Sequence, residues 1–226
     1  MLVAIDTSTD IASLALVKDR VTLAELTWRS GQNHTTQLLP NLAHLLKLVG
    51  LDTSVLTSVI VAKGPGSFNG LRVGISTAKG LAFSLNIPIV GVSSLEVEAY
   101  QYATTGLPIC PVFNASRGEI ATALYQRQAN GWRQVEGERI TTVEKLCVEI
   151  KEKTLFCGEY LPAISSQLVS RLAEKAVIAS PTTDVRRASY LAELGMLKIA
   201  AGELDNVATL QPVYLRRPSI TVAKHK

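Results

Sequence analysis

The sequence predicts an α/β protein built from two similar lobes with a cleft between them. In each half of the 226 residues, three short apolar strands come first, and helices then alternate with strands. A polar turn follows the first strand in each half, and the length suits two small lobes as well as one large domain. We place the N-terminal lobe at 1–106 and the C-terminal lobe at 107–226.

The first half is predicted to begin with three antiparallel strands, because its apolar runs are separated by short polar turns. Leucines at helical spacing then indicate a helix that ends at Gly50 and has Pro40 early in it. The predicted elements are strands 2–5, 11–18 and 21–28, a helix at about 35–49, strand 57–63, a helix at about 67–86, strand 89–92 and a helix from 93 or 94 to about 103.

The second half begins at Pro108 and is predicted to repeat this order. Its first strand ends at a polar turn over 114–119, as the first strand of the chain ends at 6–10. The predicted elements are strands 109–113, 120–125 and 134–140, a helix near 142–152, strand 155–157, a helix near 163–175, strand 176–179 and a helix at 185–202. The repeat lies in the order of the elements and not in their residues.

The composition is typical of a globular protein with a full core. Hydrophobic residues make up 47% of the chain and charged residues 19%, and the formal net charge is +4. That mild positive charge lacks the dense clusters of a nucleic-acid-binding protein that works alone. Aromatic residues make up 5%, which is too few for a base-stacking surface.

The cysteines and the N-terminal residues indicate a protein of the cytoplasm. Cys110, Cys147 and Cys157 are scattered and odd in number, which favours reduced thiols over a disulfide framework or a metal site. The first residues run directly into a strand, without the charged and apolar regions of a leader. No apolar run reaches the roughly 18 residues of a membrane span, so we expect no membrane segment.

The helix at about 67–86 carries a stripe of small residues. Ser67 is its expected N-cap, and the preceding Gly64-Pro65-Gly66 allows a sharp turn. Each interior glycine costs a helix roughly 1 kcal/mol relative to alanine, so the stripe predicts that another backbone approaches closely. The stripe consists of Gly70, Gly74, Ala78 and Ala82, which are spaced by four and share one face.

These motifs resemble the TsaB (YeaZ) family. Gly64-Pro65-Gly66-Ser67-Phe68 followed by Leu71-Arg72-Val73-Gly74 is the most specific match, within a matching stretch over 64–82. The resemblance also covers 2–9 (Leu-Val-Ala-Ile-Asp-Thr-Ser-Thr), 34–40 (His-Thr-Thr-Gln-Leu-Leu-Pro) and 211–216 (Gln-Pro-Val-Tyr-Leu-Arg), and it fades between about 99 and 208. It implies the actin-like and hexokinase-like (ASKHA) ATPase fold, with two ribonuclease-H-like lobes.

The resemblance also implies an indirect role in tRNA modification. Members of the family are the non-catalytic subunit of the bacterial machinery that forms threonylcarbamoyladenosine on tRNAs reading codons that start with A. The implied partners are the paralogous catalytic (TsaD-like) subunit and a small ATPase (TsaE-like) subunit, with a homodimer when the chain is alone. Contact with tRNA would be indirect or weak. No cofactor would be required, and ATP or ADP would bind at most weakly or at an interface.

Two helices are the predicted partner interface. The first, at about 35–49, offers a leucine face, and the second offers the small-residue stripe that lets another helix come close. The alternative is that both helices only cover their own sheet, but the second is apolar or small around most of its circumference. The interface residues are His34, Leu38, Leu39, Leu42, Leu45, Leu46, Phe68, Gly70, Leu71, Gly74, Ile75 and Ala78.

The first polar turn is a candidate phosphate site. Active ATPases of the implied fold hold phosphate and magnesium at this turn, and Asp6, Thr7, Ser8 and Thr9 offer hydroxyls, backbone donors and a carboxylate. An ordinary hairpin turn closed by its own side chains explains the same residues. In the second turn Asn114 stands where the family has Asp, which indicates a vestigial site. A nucleotide-dependent phosphotransferase or ATPase is the alternative function.

Metal catalysis is not expected. Catalytic relatives carry two histidines four residues apart, and Ser94 and Glu98 stand at those positions here. His34 has no partner on its helix face and is expected to donate or accept a hydrogen bond, so a metal-dependent peptidase, the third hypothesis, is disfavoured. The C-terminal basic residues Arg216, Arg217, Lys224 and Lys226 are a solvated tail or, alternatively, a phosphate contact to tRNA.

Overall fold

The computed structural model describes residues 1–180 and 185–216, and the N-terminal lobe is built on a five-stranded mixed sheet. Its strands are β1 (Leu2–Asp6), β2 (Ile11–Lys18), β3 (Val21–Arg29), β4 (Ser58–Ala62) and β5 (Ile89–Val92). Their order in the sheet is β3-β2-β1-β4-β5, with the first three strands antiparallel and β4 and β5 parallel to β1. All five predicted strands are confirmed. The tail residues Arg217, Lys224, His225 and Lys226 lie outside the described residues.

Two long helices cover one face of this sheet. They are α1 (His34–Leu48) and α2 (Phe68–Leu85), and their inward residues pack with Val3, Ile5 and Leu14 of the sheet. The predicted cap of α2 is present, since the Ser67 hydroxyl accepts a hydrogen bond from Gly70 N at 3.3 Å. Beyond β5 comes the short helix α3 (Ser94–Tyr100), whose buried residues belong to the cores of both lobes.

The C-terminal lobe has the same strand order as the N-terminal lobe. Its sheet runs β8-β7-β6-β9-β10, with β6, β7 and β8 antiparallel and β9 and β10 parallel to β6. Its elements are β6 (Ile109–Asn114), β7 (Ile120–Gln128), β8 (Gly131–Thr141), α4 (Val143–Glu149), β9 (Thr154–Cys157), α5 (Leu161–Leu172) and β10 (Ala176–Ile178). The predicted repeat of two lobes is therefore confirmed at the level of topology.

The last helix returns to the first lobe. Helix α6 (Ala188–Ala200) packs its buried residues against β1, β2, β4 and β5, on the face opposite α1 and α2. The following segment stays on the first lobe, because Asp205 accepts a hydrogen bond from Gly91 N at 2.8 Å and Val213 N donates to Lys63 O at 2.7 Å. The single boundary at 106/107 is therefore wrong for residues 188–213. The second face of the N-terminal sheet is apolar and needs this cover.

Among the described residues, no helix is both long enough and apolar enough to cross a membrane.

Candidate functional site

A cleft of about 670 Å³ opens between the two lobes. It lies where β1 and β6 end, so the polar turns that follow these two strands face it from opposite sides. Its walls come from residues 8–11, 65–67, 113–116, 159–160 and 213–216, together with Arg186. The cleft therefore brings together the first turn, the second turn and the returning C-terminal segment.

The first turn is closed by its own side chains. Asp6 Oδ1 accepts hydrogen bonds from Ser8 N at 2.9 Å and from the Ser8 hydroxyl at 2.6 Å. The Thr7 hydroxyl donates to Gly70 O at 2.8 Å, and the Thr9 hydroxyl donates to Ile11 O at 2.9 Å. All three hydroxyl protons of the predicted phosphate turn are thus directed at atoms of the chain itself, as in the ordinary hairpin turn that was the other interpretation.

Arg186 reaches this turn from the far end of the sequence. Its Nε donates to Asp6 Oδ2 at 2.8 Å, and its Nη2 donates to Ser8 Oγ at 2.9 Å and to Thr9 Oγ1 at 3.3 Å. Its Nη1 donates to Glu98 Oε2 at 3.2 Å. Only 7% of Arg186 and 2% of Asp6 are exposed, so this is a buried ion pair at the floor of the cleft.

Both partners of this pair are charged. Burial raises the pKa of Asp6, but the charge of Arg186 and hydrogen bonds from Ser8 outweigh it, and the pKa lies below its ordinary value. Burial lowers the pKa of Arg186, whereas the charges of Asp6 and Glu98 raise it, and the net pKa is raised. The guanidinium also lies 5.0 Å from the centre of the Phe113 ring, which belongs to the other lobe.

The sequence interpretation missed Arg186. Arg186 and Arg187 are neighbours just before α6, and no pattern distinguishes them in the sequence. In the structure Arg187 is exposed and pairs with Glu25 of β3, while Arg186 is buried between the lobes. Only the return of α6 to the first lobe separates their roles.

The small-residue stripe of α2 faces the first turn. A Cβ atom on Gly70 or Gly74 would overlap Thr7, and a Cβ atom on Gly66 would overlap Ser8. The close backbone approach that the stripe predicted is therefore confirmed. The prediction that a partner makes this approach is wrong for these glycines, because the chain's own turn makes it, with the Thr7 carbonyl at Gly70 and the Thr7 hydroxyl at Gly74.

Most of the predicted interface residues lie in the core. His34, whose Nε2 donates to Thr9 O at 2.9 Å, is the hydrogen-bonding histidine that was expected. Leu39 and Phe68 are exposed, at 55% and 39%. The remaining ten of the twelve are buried within the lobe itself, which corrects their assignment to a partner interface: His34, Leu38, Leu42, Leu45, Leu46, Gly70, Leu71, Gly74, Ile75 and Ala78.

The outward sides of α1 and α2 nevertheless carry exposed apolar side chains, and we call these two sides together the α1–α2 face. It is defined by three exposed side chains: Leu39 and Leu48 of α1 and Phe83 of α2, which is 81% exposed. The two helices pack side by side, and Gly80 has open space above it. The sequence analysis did not select Leu48 and Phe83. Helical periodicity identifies the residues of the buried face, and it does not distinguish the residues on the outward face from one another.

The residues at the histidine positions of the catalytic relatives have other roles here. Ser94 is buried, and Glu98 holds Arg186 and accepts a hydrogen bond from Gln101 at 2.8 Å. Within residues 1–180 and 185–216, no three His, Cys, Asp or Glu side chains are placed to hold a metal ion.

The second turn is tied to the C-terminal segment. Asn114 Oδ1 accepts a hydrogen bond from Ser116 N at 2.8 Å, so an Asx turn forms here without a carboxylate. Arg216 donates to Ala115 O at 2.9 Å and pairs with Glu119. Arg216 is therefore part of the fold and not of a solvated tail.

Comparison with known proteins agrees with this architecture. Residues 28–223 match the family model described as TsaD, tRNA N6-adenosine threonylcarbamoyltransferase. The TsaB protein of Bacillus subtilis, named a tRNA threonylcarbamoyladenosine biosynthesis protein, is 35% identical over 95% of this chain and 93% of its own length. The TsaB protein of Escherichia coli, named likewise, is 34% identical over 95% of this chain and 94% of its own.

Solved structures show the same fold. The crystal structure of a Pseudomonas aeruginosa protein described as similar to peptidase YeaZ has a TM-score of 0.82 and 27% identity, over 95% of this chain and 99% of that one. The ethanolamine utilization protein EutJ from Carboxydothermus hydrogenoformans, with 12% identity and a TM-score of 0.51 over 85% of this chain and 89% of that one, shows the actin-like fold alone. By its full-length relatives and the shared structure, this chain belongs to the TsaB (YeaZ) family.

Proposed function

We propose that this chain is a non-catalytic, activating subunit in the formation of threonylcarbamoyladenosine on tRNA. It binds the paralogous catalytic threonylcarbamoyltransferase subunit and holds it in an active conformation. The names of the full-length relatives support the pathway. The first turn supports a non-catalytic role, because its hydroxyls and its carboxylate are hydrogen-bonded to other groups of the chain.

The observation that carries this proposal is the α1–α2 face. Phe83 is 81% exposed on α2, and Leu39 and Leu48 are exposed on the neighbouring helix. Large apolar side chains exposed on two neighbouring helices are candidates for burial in a protein interface. The catalytic subunit is the proposed occupant, and the chain pairs with a second copy through the same face when that subunit is absent.

The other components have lesser roles in this proposal. The small ATPase subunit docks on the complex of the two paralogues, and tRNA contacts this chain indirectly or weakly. The chain requires no cofactor of its own, and any ATP or ADP binds weakly or at the interface with a partner. A subunit of tRNA modification acts in the cytoplasm.

Reconstituted transfer tests the proposal. All other components are combined with tRNA, and threonylcarbamoyladenosine is measured with this chain added, with it omitted, and with this chain as the only protein. We expect modification that requires the chain and no modification by the chain alone. Modification that proceeds equally without the chain would remove the proposed role, and magnesium-dependent ATP turnover by the isolated chain would favour the phosphotransferase alternative.

A further inference from the structure

We propose that the guanidinium of Arg186, at the floor of the cleft, occupies a place where a divalent cation would otherwise bind. In doing so it keeps metal-bound phosphate away from the first turn. This inference concerns the chain itself and is independent of the partner in the proposed function. It starts from one geometric fact, the convergence of several oxygen atoms from distant parts of the sequence on a single guanidinium group.

Four side-chain oxygens converge on this group. They are Asp6 Oδ2, Glu98 Oε2, Ser8 Oγ and Thr9 Oγ1, and each lies between 2.8 and 3.3 Å from a guanidinium nitrogen. Carboxylate and hydroxyl oxygens are ligands that small divalent cations prefer. The set is therefore one that a hard cation would fit if the guanidinium were removed.

The guanidinium also provides the charge that the site requires. Asp6 and Glu98 are each 2% exposed, and carboxylates buried to that extent are expensive to ionise without a cation beside them. Arg186 lies against both and keeps Asp6 ionised. Since both carboxylates already have this cation, a metal ion would have to displace it and leave a buried guanidinium without partners.

Phosphate is disfavoured at the same place. Glu98 and Glu159 line the cleft together with Arg29 and Arg216, and Asp6 is buried beneath its floor, so an anion that reaches the floor meets carboxylates there. Four of the five N–H groups of Arg186 already donate to oxygens of the chain, and Phe113 of the other lobe lies against the guanidinium. The floor of the cleft therefore offers few free donors to the metal-bound phosphate of a nucleotide.

Manganese binding tests this assignment. Mn²⁺ alone and Mn²⁺ with ADP are titrated against the wild-type chain, Arg186→Ala, and the matched control Arg187→Ala, which removes an exposed arginine from the adjacent position. Free Mn²⁺ is measured by electron paramagnetic resonance, and broadening of the Ser8 and Phe113 amide signals locates the bound ion. A third variant combines Arg186→Ala with Asp6→Asn and Glu98→Gln, which removes the proposed ligands.

We expect Arg186→Ala to bind Mn²⁺ at the turn about tenfold or more tightly than the wild type, because a unit charge is removed within a few ångströms of the site. Arg187→Ala should match the wild type, and the triple variant should lose the gained binding. Should Arg186→Ala not fold by itself, Mn²⁺ should restore its folding. Saturable Mn²⁺ binding at the wild-type turn would overturn the proposal. So would a folded Arg186→Ala with wild-type affinity, or an unfolded one that Mn²⁺ fails to rescue.

Discussion

The two turns that face each other across the cleft follow equivalent strands, yet their polar groups differ in burial and in charge. The turn after β1 is buried, and its carboxylate, Asp6, is enclosed with the guanidinium of Arg186. The turn after β6 has Asn114 at the corresponding place and is largely exposed to solvent. Both close as Asx turns, so the turn geometry does not require a charge.

The difference shows where the repeat of the fold ends. The two sheets share one strand order, but only the N-terminal sheet receives α6, which begins two residues after Arg186. The returning helix brings a cation to the first turn and none to the second, which has the surface arginine Arg216 instead. A charge is therefore enclosed only where the chain supplies its partner.

Removal of the enclosed cation should have the largest effect on stability. Arg186→Met leaves Asp6 and Glu98 buried without a counter-ion, and breaking such a pair destabilises a protein by about 3–5 kcal/mol. The free energy of unfolding in urea measures the loss. Combining Arg186→Met with Asp6→Asn and Glu98→Gln should recover much of it, because no uncompensated charge remains. A single variant as stable as the wild type would show that the floor of the cleft is not an enclosed ion pair.

The contact between α2 and the first turn gives the next largest effect. Gly74→Ala places a Cβ atom against the Thr7 hydroxyl, which is buried and donates to Gly70 O, so we expect a loss of about 1–3 kcal/mol. Gly80→Ala on the same helix meets open space and should stabilise the protein by about 0.5–1 kcal/mol. Thermal unfolding of the two variants compares them directly. Equal effects at both positions would contradict the close approach.

Acid should distinguish the two turns. The pKa of Asp6 is lower in the folded chain than its ordinary value of 3.8, so its ion pair contributes stability above that pH. This contribution is lost as the pH falls through the lower folded pKa. Asp6→Asn should be less stable than the wild type at neutral pH and lose less stability on acidification, whereas Asn114→Asp, which alters the exposed turn, should leave the acid response of Asp6 in place. Urea unfolding as a function of pH follows both, and parallel profiles for Asp6→Asn and the wild type would contradict the assignment.

The exposed turn should show the smallest effect. The Arg216–Glu119 pair is about one-third exposed on both sides, and surface pairs of this kind contribute at most about 1 kcal/mol. Arg216→Ala should therefore change the free energy of unfolding by less than that amount, and the change should shrink further at high salt. A loss as large as that of Arg186→Met would erase the distinction between the turns.

Local patterns in the sequence were sufficient to predict the strands, the long helices and the repeat of the two lobes. Alternating apolar runs, leucine periodicity and the Ser67 cap predicted every strand and the two long helices of the first lobe. Long-range packing was not predictable from these patterns. The return of α6, the burial of Arg186 in place of Arg187, and the contact of the glycine stripe with Thr7 all join residues that are far apart in the chain. Periodicity shows that a face is covered, but not which part of the chain covers it.

The function proposed here requires the α1–α2 face to bind the catalytic subunit, and a pair of matched surface variants tests this most directly. Phe83→Asp on α2 and Val148→Asp on α4 both place a charge on an exposed helix position, since the native side chains are 81% and 75% exposed. Formation of threonylcarbamoyladenosine is measured in the reconstituted system, together with co-sedimentation of the two paralogues. We predict that Phe83→Asp loses binding and modification while Val148→Asp retains both. Full activity of Phe83→Asp, or loss of activity in Val148→Asp alone, would contradict the account.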